Sequence, residues 1–166
     1  MARREIEREV QQSVLDRLVD EEPGLAGDPT LTWGESVRRL KIALRRDLEW
    51  LLNTRRTAMR VPEACEELRE SLFTYGLTDL ASVSRDASDT RQRLAREVEE
   101  AVRLFEPRLS GVRVVFSEDT EKGAQRFHYT VEAMLRLDPT PERIVFDTVL
   151  DVPTASFEIE PKTGAE

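Results

Sequence analysis

The sequence holds one cysteine, one histidine and three lysines, and no apolar run in it exceeds three residues. Each scarcity excludes something. A lone Cys65 closes no internal disulfide and builds no cysteine-based zinc site, and it suits a reducing compartment. A lone His128 rules out a multi-histidine metal centre, and any Ser-His-Asp triad would depend on that one ring. Runs no longer than Val114-Val115-Phe116 offer no membrane-spanning helix. The opening MARREIEREV has no apolar core, so no signal peptide is expected. Seven scattered glycines make no phosphate cradle, and the spacings GxSxG, HExxH and the EF-hand loop do not occur. No cofactor and no metal site is expected.

What is present is charge. Of 166 residues, 39% are hydrophobic and 35% charged, enough for one modest core with an appendage. The net charge of −8 argues against general nucleic-acid binding. Twenty-two of the 25 cationic residues are arginine, whose planar fork suits protein interfaces, although genome composition can produce the same bias. The bases crowd between Gly34 and Arg60, and acids dominate from Asp147 onward. That asymmetry suits assembly with partners.

Along the chain, residues 1–22 read as a helical extension, with Ser13 capping a turn that carries Val14, Leu15, Leu18 and Val19 on one side. Residues 23–34, rich in proline and glycine, read as a linker. A main domain over 35–160 and a frayed tail over 161–166 complete the division. Val37, Leu40, Leu44, Leu48 and Leu51 form one stripe of a strong amphipathic helix. Ile42 and Trp50 fall on its polar side, either packed under a neighbouring element or forming a partner surface with Arg45, Arg46 and Arg55. Residues 53–87 read as loop with short helical turns near Glu63–Ser71 and Leu77–Ala81. A second long helix is expected from about Asp89, capped with Gln92, with Leu94, Val98, Ala101, Val102 and Phe105 buried and Pro107 ending it.

From Gly111 the period becomes two. Strands are expected over Gly111–Phe116, Phe127–Leu137, Ile144–Leu150 and Thr154–Glu160. Helices followed by strands predict an α+β fold, with N-terminal helices packed on one face of a small antiparallel C-terminal sheet of three to four strands. His128 falls on the solvent side of its strand. The carboxylates near Cys65 disfavour a reactive thiolate.

One short motif stands out at the helix-to-strand junction: Glu106-Pro107-Arg108. Proline biases Glu106 towards extended geometry, and residues two apart in an extended stretch project together. The pair is either an internal salt bridge closing the helix or a charged fork aimed at a partner.

Several stretches together carry a resemblance. They are Ser36-Val-Arg-Arg-Leu40, Arg46-Asp-Leu-Glu-Trp-Leu-Leu-Asn-Thr-Arg-Arg56, Tyr75-Gly-Leu-Thr-Asp79 and Phe105-Glu-Pro-Arg-Leu109 followed by Val112-Arg-Val-Val-Phe116. With Ser13–Leu18 and the terminal Phe146-Asp-Thr and Phe157-Glu-Ile, they resemble the small baseplate wedge family of contractile phage tails, often labelled lysozyme-like. The long N-terminal extension is most similar to its type VI secretion branch, TssE. Only the last hairpin departs, where Asp151-Val-Pro-Thr-Ala-Ser156 replaces a glycine-containing turn.

The resemblance implies a non-enzymatic cytoplasmic subunit at the membrane-docked baseplate. Its implied partners are TssF, TssG and TssK, and the TssB/TssC sheath whose assembly it primes, with no nucleic acid and no membrane insertion. It assigns Glu106, Pro107 and Arg108 to baseplate assembly, which turns the choice above towards the partner-facing fork. A muramidase using Glu106 as acid is the rival from another class; the adjacent arginine is expected to lower that carboxyl's pKa, against what such an acid needs. A phage-derived injection device is a third possibility. An open sheet edge at Ala155, Phe157 and Ile159, or the opposite one near Val112–Phe116, is expected to receive a sheath strand, with Ser156 and Glu158 as outward N–H donors.

Overall fold

A computed structural model of the chain describes residues 10, 12–19, 23–24, 31–78, 88–116, 126–151 and 153–161, and the side chains of 88–90 and 161 lie outside that description. The chain divides into two compact units, Met1–Arg46 and Asp47–Glu166.

In the first unit, α1 is a short helix over Val14–Leu18, opened by the Ser13 hydroxyl, which accepts the Asp16 N–H at 3.1 Å. Val19 is already extended, so the helix stops there, short of the expected end near Glu22; residues 20–22 lie outside the description. None of its residues is buried, and Val14 and Leu18 are 72% and 77% exposed. It is held by polar ties: Asp16 bonds Arg46 at 2.8 Å, and the Gln12 amide donates to the Ser36 carbonyl at 3.2 Å.

Those ties end on α2, Trp33–Asn53, which begins in the first unit and ends in the second and carries both tryptophans. Its start is a capping box. Glu35 accepts from the Thr32 N–H and hydroxyl at 2.9 and 2.7 Å, and Thr32 Oγ1 accepts the Glu35 N–H at 3.4 Å. Those bonds hold the Glu35 carboxyl below its ordinary pKa. The box sets the start at Trp33, so Gly34 sits in the first turn and not in the preceding linker. The expected stripe is buried throughout, from Val37 to Leu51.

Among the described residues, the second unit contains the end of α2, two 3-10 turns over Glu66–Glu70 and Leu72–Thr74, α3 over Ser88–Phe105, and four strands. Leu77 does not start a helical turn as expected. It pairs with Arg55 in a parallel bridge, because Gly76 at φ +99° reverses the chain against Thr54. Residues 79–81 of that expected turn lie outside the description. The Leu77 N–H then donates to the Thr54 carbonyl and the Arg56 N–H to the Leu77 carbonyl, both at 2.9 Å. A side chain at Gly76 would meet the Thr54 carbonyl oxygen at 2.3 Å. α3 buries Leu94, Val98, Ala101 and Val102, while Phe105 is half-buried and packs edge-on against Tyr75. The cap expected at Asp89 rests on a side chain outside the description.

The sheet is an antiparallel meander, β1(Leu109–Phe116), β2(Arg126–Leu135), β3(Glu142–Asp151) and β4(Ser156–Pro161), in the order β1-β2-β3-β4. The fold is α+β, as the sequence predicts. One face carries Val114, Phe127, Tyr129, Val131, Ala133, Leu135, Ile144, Phe146, Leu150, Phe157 and Ile159, all buried. Arg91 of α3 lies over the Phe116 and Phe127 rings at 4.9 and 5.0 Å, a cation–π contact on that face. The alternate residues point outward, with His128 exposed. In the last turn, Asp151 accepts the Thr154 N–H and hydroxyl, and Ala155 takes φ +51°. β4 therefore starts at Ser156 and not at Thr154, and Ala155 belongs to the turn.

Candidate functional site

Pro107 ends α3 and stands in a tight turn: the Glu106 N–H still reaches the Val102 carbonyl at 2.9 Å, and the Leu109 N–H returns to the Glu106 carbonyl at 3.0 Å. The turn places Glu106 and Arg108 side by side, as the spacing predicts. They do not project as an open fork. The Arg108 guanidinium grips Glu106 Oε2 through Nη2 at 2.7 Å and Nε at 3.1 Å, and Nη2 also bonds Asp47 of α2 at 2.6 Å. Glu106 is only 5% exposed. The pair is thus an internal bridge, enlarged to a triad by Asp47. Its remaining nitrogen, Nη1, is buried without a hydrogen-bond partner among the described residues.

Two carboxylates around one guanidinium leave the cluster acidic. Burial raises the Glu106 pKa, outweighing the opposing pull of Arg108, with the Asp47 charge adding to the rise. This reverses the expectation that Arg108 would lower it. The nearby Tyr75 phenol is also raised, by burial first and then by the charges of Glu106 and Asp47. A raised pKa does not make Glu106 a glycosidase acid. Such an acid must reach the glycosidic oxygen, and this carboxyl is buried and clamped.

The polar side of α2 keeps its apolar residues exposed, with Ile42 at 54% and Trp50 at 51%. Ile42, Arg45 and Arg46 belong to the first unit, Trp50 and Arg55 to the second. Arg55 donates to the Ala155 carbonyl at 3.1 Å, so this residue also holds the last turn. Beside it, Thr54, Arg55, Arg56, Thr57, Leu72, Phe73 and Tyr75 line a groove.

Both outer strands of the meander are met by a helix side chain. On β4, the Asn53 carboxamide accepts the Phe157 N–H at 2.8 Å and donates to the Phe157 carbonyl at 2.9 Å. On β1, the Glu99 carboxylate accepts the Val114 N–H at 2.8 Å. Backbone groups alternate sides along a strand. With Phe157 turned outward, Ser156 and Glu158 must turn their N–H groups towards β3. The expectation that these two are outward donors is therefore wrong; the outward N–H groups are those of Phe157 and Ile159. Phe157 and Ile159 do anchor the buried face, as the alternation implies.

A family model described as baseplate wedge protein gp25 matches residues 38–140. The chain belongs to that family. The matched span runs through most of α2, the Asp47–Arg108–Glu106 triad, α3 and the first two strands of the wedge fold. No curated protein and no solved structure matches the chain. Membership makes this a phage-like structural component of a baseplate, working with other baseplate proteins. Among the described residues, no helix is long and apolar enough to cross a membrane.

The sequence reading located the motif but missed Asp47, Asn53 and Glu99. Asp47 follows Arg45 and Arg46 and reads as part of a solvated helix face. Asn53 reads as a helix terminus; its partner lies 104 residues away. A polar side chain at the last helical position was the only signal available.

Proposed function

We propose that the chain is a TssE-type wedge subunit of a type VI secretion baseplate, which joins TssF and TssG, with TssK in the wider assembly, and primes the TssB/TssC sheath. Its place is the cytoplasm, at the membrane-docked baseplate. The observation that carries this reading is the wedge-family match over residues 38–140, a span that includes Glu106-Pro107-Arg108. In this reading the motif acts by fixing shape: Arg108 ties the end of α3 to α2 through Asp47 and presents a rigid corner, exposed at Pro107, to the partner. Trp50 and Arg55, and Ile42 with Arg45 and Arg46, supply aromatic, aliphatic and arginine contacts of the kind in which interface energy concentrates. The β4 edge at Phe157 and Ile159, beside the turn at Ala155, receives a strand from the first sheath ring.

Co-expression with TssF and TssG followed by size-exclusion chromatography tests the assignment. Stable co-elution is expected, and it should weaken in Trp50→Ala. Separate elution of a folded chain would overturn it. In cells, Glu158→Lys with Glu160→Lys, both on the exposed face of β4, should leave the wedge assembled and abolish fluorescent sheath filaments, since the edge then repels a basic strand. Normal filament numbers would count against strand donation at this edge.

A further inference from the structure

The two sheet edges are closed in chemically different ways. An incoming strand offers an edge residue one acceptor for its N–H and one donor for its carbonyl. The Asn53 carboxamide offers Phe157 that same pair, at 2.8 and 2.9 Å. Its second amide hydrogen bonds the Glu49 carbonyl, one turn back on α2, at 2.8 Å, so the amide plane is held ready. Glu99 on β1 is a carboxylate and only accepts, so it satisfies the Val114 N–H and mimics half a strand. The β1 ladder is also irregular between Ser110 and Arg113, where Gly111 takes φ +62°. Bulges and inserted charges are how edges are kept from pairing.

We propose that Asn53 is a placeholder for a partner strand on β4, displaced when an extended segment carrying basic residues at alternate positions docks there. This refines the sheath-strand reading above and rests on it. The charge requirement follows from the register. Glu158 and Glu160 are exposed on the open face of β4, and Glu160 stands directly opposite Asp147 of β3. A strand added outside β4 places its own open-face residues beside Glu158 and Glu160. Lysine or arginine is favoured there and acid is repelled. A second copy of β4 pairing antiparallel about Ile159 would set Glu158 against Glu160 twice, so the edge that mimics an open site disfavours its own kind.

The full chain, titrated with a short blocked peptide alternating lysine and valine and followed by amide NMR, tests this. Shifts should centre on Phe157 and Ile159. Asn53→Ala should bind about tenfold tighter, because the competing pair of hydrogen bonds is gone. Glu158→Lys with Glu160→Lys should transfer the preference to a glutamate–valine peptide. Unchanged or weaker affinity in Asn53→Ala overturns the placeholder, as does its self-association in sedimentation. Hydrogen exchange on the parent chain supplies a second reading that needs no variant. The Phe157 amide should be protected with and without peptide, passing from Asn53 to the strand, while the Ile159 amide changes from fast to slow. An Ile159 amide that stays fast at saturating peptide overturns docking on this edge. The peptide assay uses the isolated chain, so its failure is separable from failure of co-elution or of sheath filaments.

Discussion

Arg108 makes three charge-assisted contacts with two carboxylates, and its removal would leave Glu106 buried without a counter-charge. Arg108→Ala should therefore lower stability by roughly 2–3 kcal/mol in urea unfolding, the scale of hydrogen bonds to charged groups. A variant as stable as the parent would show that the triad is solvated in solution. Arg108→Lys keeps the charge and loses the fork, so it should recover only part of the loss. Glu106 also predicts a pH dependence. Burial holds its folded-state pKa above the ordinary glutamate value, so the native state binds more protons than the unfolded chain between the two values. In that window this group makes stability fall as pH rises, and acidification restores it. Glu106→Gln should flatten that part of the profile, read as urea midpoints from pH 4.5 to neutrality against the parent. An identical slope in the variant would assign the dependence to other groups.

Among the elements, α2 separates packing from presentation within one turn. Leu51 is fully buried and its neighbour Trp50 is half-exposed. Leu51→Ala should cost about 2–5 kcal/mol, whereas Trp50→Ala should stay within about 0.5 kcal/mol in the isolated chain. Equal melting losses would place the indole in the core. The segment after α2 is fixed by close backbone approach. Gly76→Ala meets both a positive φ and the Thr54 carbonyl, so it should lower the melting temperature and cost upwards of about 1–3 kcal/mol. These elements were legible to different degrees. The stripe from Val37 to Leu51 and the alternation from Phe127 to Leu135 follow from periodicity, because burial on one face repeats with the backbone. The Thr32–Glu35 box was readable from its spacing and went unread. The start of β4 was misplaced by two residues because a non-glycine, Ala155, takes the left-handed conformation. The edge contacts of Asn53 and Glu99 join a helix side chain to a distant strand backbone, and a local pattern carries no trace of such pairs.

For the whole molecule, the two compact units and the single helix that begins in one and ends in the other have a spectroscopic consequence. The chain's only tryptophans, Trp33 and Trp50, lie on that helix, one in each unit. Trp33→Phe and Trp50→Phe therefore give two single-indole proteins, each reporting one unit. Helix formation is cooperative, so melting either unit should propagate along α2. The two emission curves are expected to coincide with each other and with far-ultraviolet circular dichroism, the signature of one transition. A Trp33 signal that melts first would mean that the first unit unfolds on its own while the sheet survives. The position of two indoles thus makes α2 its own calorimeter of coupling: a pair of fluorescence traces reads how far order in one unit depends on order in the other.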